Sequence, residues 1–314
     1  MALANKAEAP PLWDAAALQR HAQIALDEFV ERRLAEPASR YRRHLRERRR
    51  ALHALFHHLA RFDPRQPDSE IARQIVSDPE LESALRYVAG PPVSRDDLGV
   101  LVTRGRARIS KAAINDNPSL AVEILALICR LADGERFPWL ARGRTPRPFE
   151  LKQAVRATTA LHAAQAMQTE RRAYGKVVEA RLRERLVRLG YEAVRTPNKG
   201  RITAPLHMPR PRSFYGECSV HGRRADLLIG LSDGRAVAVE AKDSSSVVNS
   251  VKRVLNDTAA KARHWHTRLG ETLLPVALLS GVFGIDSLRS AQAAGLYLVW
   301  SHDLDSFADW LAAQ

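Results

Sequence analysis

The hydrophobic period changes near residue 170, and this restricts the fold more than any other feature of the chain. Before that point apolar residues recur at helical spacing; after it, short apolar runs alternate with helical stretches. In the later part, Tyr174–Leu189 reads as a helix stopped by Gly190. Tyr191–Thr196 reads as a short strand, and 197–214 as a loop with four prolines. Arg224–Leu231 and Arg235–Lys242 are strands joined at Ser232-Asp233-Gly234. A serine run then opens a long helix over Val247–Leu269. Leu274–Ser280 is a continuous apolar run, as a strand buried on both faces needs. A helix over 286–294, a strand over 296–300 and a closing helix over 304–313 follow. Such alternation predicts an α/β core with a mixed sheet flanked by helices.

The earlier part predicts only helices: Ala15–Leu34, Arg40–Phe62, Pro79–Val88, 98–110, Ser119–Ala132 and Phe149–Arg172. Proline and glycine clusters at 64–67, 90–92, 115–118 and 144–148 separate them. The whole chain therefore reads as α+β, with an all-helical domain over 1–170 and an α/β domain over 171–314. No internal repeat of solenoid type is present.

Charge narrows the function. Lys and Arg outnumber Asp and Glu by 49 to 35, a net charge of +14. Such an excess points to a polyanionic partner, nucleic acid first and an anionic membrane surface second. No window is apolar enough to span a bilayer, and the first residues do not read as a secretory signal. The two cysteines, Cys129 and Cys218, have no metal or redox spacing, so a cytoplasmic setting is expected.

The hairpin carries the chemistry. On a strand, Glu240 and Lys242 share a face while Val237 and Val239 point the other way. A two-residue loop would set Asp226 opposite Ala241. A three-residue loop with Gly234 left-handed pairs Leu231 with Arg235 and sets Asp226 opposite Glu240. The second register also aligns Leu227 and Ile229 with Val239 and Val237, so the hydrophobic pattern selects it. Two carboxylates about 5 Å apart repel unless a cation lies between them. A hard divalent cation such as Mg²⁺ answers that need, and Lys242 is placed to position water and offset phosphate charge. Glu179, in the preceding helix, either adds a further carboxylate or is an ordinary solvated helix charge. Glu150-Leu151-Lys152, with Asp133 upstream, has the same letters but falls at a helix start, where i and i+2 do not share a face.

Flanking residues suit DNA. Ser244, Ser245 and Ser246 can cap the helix after the hairpin, near where a phosphate would lie. Asn249, Lys252, Arg253 and Asn256 form a polar stripe there, opposite Val248, Val251, Leu255 and Ala259. Asn and Arg side chains can read adenine and guanine edges, the alternative for each being a solvated face. Lys261, Arg263, His264 and His266, further along, are candidates to meet phosphates. Arg201, Arg210, Arg212 and Arg223 in the proline-rich loop and beyond form a candidate backbone clamp or groove reader. The helical part either grips DNA, with Arg40, Arg42, Arg43, Arg46, Arg48, Arg49 and Arg50 as the candidate residues, or builds a dimer.

Asp226 with Glu240-Ala241-Lys242, in this helix–strand order, resembles the PD-(D/E)XK nuclease superfamily over roughly 174–301, with Arg224-Ala225 where the motif's proline stands. More narrowly, the stretch from Val239 to Asp257, continuing through Lys261 to Trp265, resembles the XamI-like type II restriction endonucleases. So do Asn117-Pro-Ser-Leu, Phe137-Pro-Trp139 with Gly143-Arg144, and Thr169-Glu-Arg-Arg. The resemblance implies a Mg²⁺-dependent enzyme that cuts both DNA strands at a short site, with Asp226, Glu240 and Ala241 as metal ligands and Lys242 assisting the attacking water. It further implies a homodimer, since protein symmetry mirrors that of a palindromic site, and a companion DNA methyltransferase. Two alternatives stay open at this point: a structure-selective repair or junction nuclease of the same fold, and a non-enzymatic DNA-binding protein.

Overall fold

The computed structural model describes residues 9–35, 37–60, 68–105 and 109–314; of these, the side chains of 37, 38, 141, 252, 253, 255 and 256 are outside the description. The chain divides into two compact units, 1–35 with 171–314, and 36–170. The sequence reading had assigned residues 1–35 to the helical domain. Instead α1 (Ala15–Ala35) puts Leu18, Ala22 and Ala25 into the core on the sheet, beside Ala277, Leu279 and Leu288. Trp13 fastens its start, the indole N–H donating to the Leu298 carbonyl at 2.8 Å.

The helical unit runs α2 (Pro37–Leu59), α3 (Ser69–Ser77), α4 (Pro79–Arg86), α5 (Arg95–Thr103), α6 (Lys111–Asp116), α7 (Pro118–Arg130), α8 (Pro138–Ala141) and α9 (Pro148–Arg172), whose last two residues fall in the other unit. Side-chain caps start several of them. Asp68 accepts from the N–H groups of Glu70 and Ile71, Asp78 from Glu80 and Leu81, and Ser94 from Asp97. Leu52, Leu55, Ile75, Leu85, Ile124, Leu125 and Phe137 form the core. Helices α3, α6 and α8 went unread in the sequence; two of them are too short to show a full period of the apolar pattern. The predicted break at 61–67 lies outside the described residues.

The other unit continues with α10 (Tyr174–Arg188), β1 (Glu192–Ala193), β2 (Arg201–Ile202), β3 (Ser213–Tyr215), β4 (Cys218–Val220), β5 (Arg223–Ala225), β6 (Leu227–Gly230) and β7 (Ala236–Ser244). Then come α11 (Val247–Ser250), a π-helical stretch over Val251–Ala259, α12 (Ala260–Leu269), β8 (Leu273–Gly281), α13 (Ile285–Ala293), β9 (Tyr297–Trp300) and α14 (Leu304–Ala312). Six strands form a mixed sheet in the order β1-β3-β6-β7-β8-β9, parallel along β7-β8-β9 and antiparallel at β3-β6-β7. A smaller sheet has the order β2-β4-β5. Both faces of the large sheet are buried. Val237 and Val239 pack with Val178 and Leu182 of α10, while Ala236 and Ala238 pack with Trp265 of α12 and Val220 of the small sheet.

Two expectations need correction. The supposed loop over 197–214 contains β2 and the start of β3. The single strand Arg224–Leu231 is two strands in different sheets, and the change of sheet falls at Asp226. Among the described residues, no helix is long and apolar enough to cross a membrane.

Candidate active site

The hairpin register follows the three-residue-loop reading. Leu227 pairs with Val239 and Ile229 with Val237, the Leu231 N–H donates to the Arg235 carbonyl at 2.9 Å, and Gly234 has φ +87°. An L side chain at that φ would be strained, so glycine closes the loop. The same register carried one residue further sets Asp226 opposite Glu240. There the Asp226 N–H still donates to the Val239 carbonyl at 2.9 Å, although the strand has turned away toward the small sheet.

Asp226, Glu240, Ala241, Lys242 and Glu179 line one cavity of about 390 Å³. Asp226 is held by its Oδ2, which accepts from the Ala241 backbone N–H at 2.9 Å. Its Oδ1 lies 3.7 Å from Lys176 Nζ and 3.6 Å from the Arg224 guanidinium. Glu240 is buried. Its Oε1 accepts from Lys242 Nζ at 3.0 Å and from Lys261 Nζ. Lys242 also donates to Asp257 at 2.6 Å. Burial pulls the Lys242 pKa down, but the Glu240 and Asp257 carboxylates outweigh it and leave it above the usual value. Lys242 is therefore an ammonium here, a hydrogen-bond donor rather than a base. Burial likewise opposes the charge of Asp257, yet Lys242 and Lys261 bring its pKa below the usual value.

Glu179 is neither solvated nor free. It is buried, accepts from Lys176 at 2.6 Å, and takes a two-pronged contact from Arg183 at 2.8 and 3.1 Å. Lys176 thus bridges Glu179 and Asp226. Glu150, of the look-alike triplet, accepts from Arg144 at a helix start, and this bond holds its carboxyl down at about 2.

The acid pair fits a hard divalent cation. Glu240 Oε2 is buried without a hydrogen-bond donor, a costly state for a carboxylate oxygen that a cation would relieve. Among the described residues no group of three His, Cys, Asp or Glu side chains is arranged to hold a metal. Magnesium needs no such group, since it binds through one or two carboxylates and keeps several waters.

The expected DNA contacts divide. Lys261 is in the cavity, engaged with Glu240 and 3.6 Å from Asp257, rather than on an outer surface. Ser246 caps α11, accepting from the Asn249 N–H at 3.2 Å, and Asn249 is exposed. The side chains of Lys252, Arg253 and Asn256 lie outside the described residues. Arg212 is exposed, has φ +57° and donates to the Leu189 carbonyl at 2.8 Å. Arg210 and Arg223 are exposed. The apolar stripe read along this helix holds only in part. Ala259 is buried, the side chain of Leu255 lies outside the described residues, Val248 is 79 % and Val251 40 % exposed, and a buried line runs Ser250, Val254, Thr258, Ala262 and Trp265. Hydrophobic periodicity passed over that line because two of its members are hydroxyl residues.

The sequence model described as XamI restriction endonuclease matches residues 66–300. The chain belongs to the XamI restriction endonuclease family. A curated relative, the type II restriction enzyme XamI of Xanthomonas campestris pv. amaranthicola, is 34 % identical over 269 residues, which is 83 % of this chain and 93 % of the relative. No solved structure matches. Of the readings the sequence left open, membership of the family supports the restriction enzyme. The matched span includes every side chain of the cavity, but not α1, which sends one residue to its edge. Arg32 donates to Asp243 Oδ1 at 3.1 Å, and its guanidinium stacks 3.4 Å from the centre of the Tyr174 ring at the start of α10.

Proposed function

We propose that this protein makes Mg²⁺-dependent, site-specific double-strand cuts in DNA by hydrolysing phosphodiester bonds, with the cavity around Asp226, Glu240 and Lys242 as the active site. The observation that carries the reading is the buried, donorless Oε2 of Glu240 beside a second acid and two lysines. Asp226, Glu240 and the Ala241 carbonyl would hold the cation. When bound, such a cation supplies positive charge to the scissile phosphate and makes water more acidic.

The remaining work falls to the chain itself. Lys242, anchored between Glu240 and Asp257, presents N–H donors to the attacking water and to the phosphate oxygens as their charge grows. Lys261 holds Glu240 from the other side, so the carboxylate keeps its orientation as substrate enters. Glu179 orients Lys176 toward Asp226. Asn249, with Arg210 and Arg223, is the proposed contact to DNA, and the helical unit grips the duplex through the arginines of α2. The working form is a homodimer in the cytoplasm, with a DNA methyltransferase protecting the host's own sites.

Phage DNA incubated with Mg²⁺ is expected to give discrete bands that chelator abolishes. Asp226→Ala, Glu240→Gln and Lys242→Ala each lower the cleavage rate about a hundredfold or more while DNA binding persists. Full-rate cutting by Asp226→Ala would remove the active-site assignment, and a smear in place of bands would remove site specificity.

A further inference from the structure

The helical unit contains a larger cavity, about 690 Å³, of which the nuclease reading uses only Arg48, as one arginine of the α2 grip. Its walls come from α2 (His44, Arg48), α4 (Ser83, Arg86) and α9 (His162, Gln165). Three of its side chains have buried nitrogens without a hydrogen-bond partner: Arg48 Nε, His162 Nδ1 and His44 Nδ1, the last 3.6 Å from Glu47. Arg86 and the other His44 nitrogen are engaged. Arg86 donates to Glu82 at 3.0 Å and to the Val93 carbonyl at 3.1 Å, and His44 Nε2 meets Glu170 at 2.9 Å. No described carboxylate pairs with Arg48. Ser83 Oγ and His162 Nε2 are 3.2 Å apart, and the His162 ring stacks on Tyr87 with centroids 3.8 Å apart.

Two arginines, Arg48 and Arg86, and one carboxylate, Glu170, line the cavity. Burial is the main reason His162 stays neutral down to about 3, and the charges of Arg48, Arg86 and His44 add to it. An unpaired, half-buried guanidinium beside a hydroxyl and an imidazole is a donor set for an oxyanion. The volume exceeds what a bare oxyanion fills and lies in the range of small-molecule sites, so sugar and base fit behind the phosphate.

We propose that this cavity binds the phosphate of a nucleotide, with Arg48 as the anion ligand and Ser83 and His162 as its hydrogen-bonding partners. The nucleotide is either free or part of a DNA strand. The inference is independent of the nuclease site, so it is tested with chelator present and no cleavage. Deoxyadenosine 5′-monophosphate and a short DNA duplex are titrated calorimetrically into the full-length protein, Arg48→Gln and Arg156→Gln. Arg156 is exposed on α9, a helix that also walls this cavity, and does not line it. Thermal melting confirms that each variant is folded, and Ser83→Ala serves as the second variant if Arg48→Gln is not.

Mononucleotide binding that weakens about tenfold in Arg48→Gln and is retained in Arg156→Gln supports the site with a free nucleotide as ligand. Duplex binding with that same selectivity, and no binding of the mononucleotide, supports the site with DNA as the source. Equal loss in both arginine variants is non-specific charge attraction and overturns the proposal, as does no loss in either.

Discussion

A buried carboxylate oxygen with no donor costs more than an ordinary hydrogen bond contributes, so Glu240 would be a liability unless something binds there. Two lysines share its other oxygen, which fixes the carboxylate without filling Oε2. Arg32 does comparable work at the edge of the cavity. Its guanidinium joins the end of β7, through Asp243, to the first residue of α10, through the Tyr174 ring. Asp243 and Gly175 line the same cavity as Lys242 and Lys176, so loosening this joint displaces both walls. Arg32→Ala is expected to cost about 2 kcal/mol in urea unfolding. It is also expected to slow cleavage about tenfold, by the sensitivity of rates to small misplacements. Arg32→Lys recovers little of either, because an ammonium cannot both stack flat on the ring and reach the carboxylate. An Arg32→Ala protein with unchanged stability and rate would show the contact to be incidental.

Among elements, the hairpin was the most legible, for two local reasons. Asp233-Gly234 fixes a left-handed loop position, and alternating Val and Ala along β7 penalise every other register. The same logic predicted β8 and β9 from their apolar runs. What the sequence withheld is tertiary: Lys176 and Arg224 meet Asp226, Asp257 meets Lys242 and Arg32 meets Asp243 only after three helices and a second sheet converge on one strand end. The helix after the hairpin was misread because Ser250 and Thr258 face inward there. Helix α9 makes its own prediction. His162 is neutral in the fold down to about 3 against 6.5 in the unfolded chain, so the unfolded chain binds a proton first as pH falls. The stability this withholds is present above pH 6.5 and is lost progressively between there and 3. His162→Phe keeps a ring against Tyr87 without the titration. Its melting temperature is expected to fall less between pH 7 and pH 5 than that of the parent. Parallel curves for the two proteins would exclude His162 as the cause.

For the whole molecule, a net charge of +14 gives attraction to the phosphate backbone without regard to sequence, and this attraction weakens steeply with salt. Charge therefore brings the enzyme to DNA but does not explain a double-strand cut. The candidate site contains one acid pair and one Lys242 per chain, enough to hydrolyse one phosphodiester at a time. Two strands run in opposite directions, so the simplest pair of active sites is related by a two-fold axis, as in a symmetric dimer on a palindrome. If the proposed homodimer forms, mixed dimers test this arrangement. When Asp226→Ala is co-expressed with the parent chain and the hybrid purified by two different tags, each dimer has one working site. Such a hybrid is expected to convert supercoiled plasmid mainly to nicked circles, whereas the parent gives linear product. If the hybrid linearises plasmid as efficiently as the parent does, a single chain cuts both strands in turn. The dimer would then serve recognition alone, and the search for symmetry would move from the catalytic unit to the helical one.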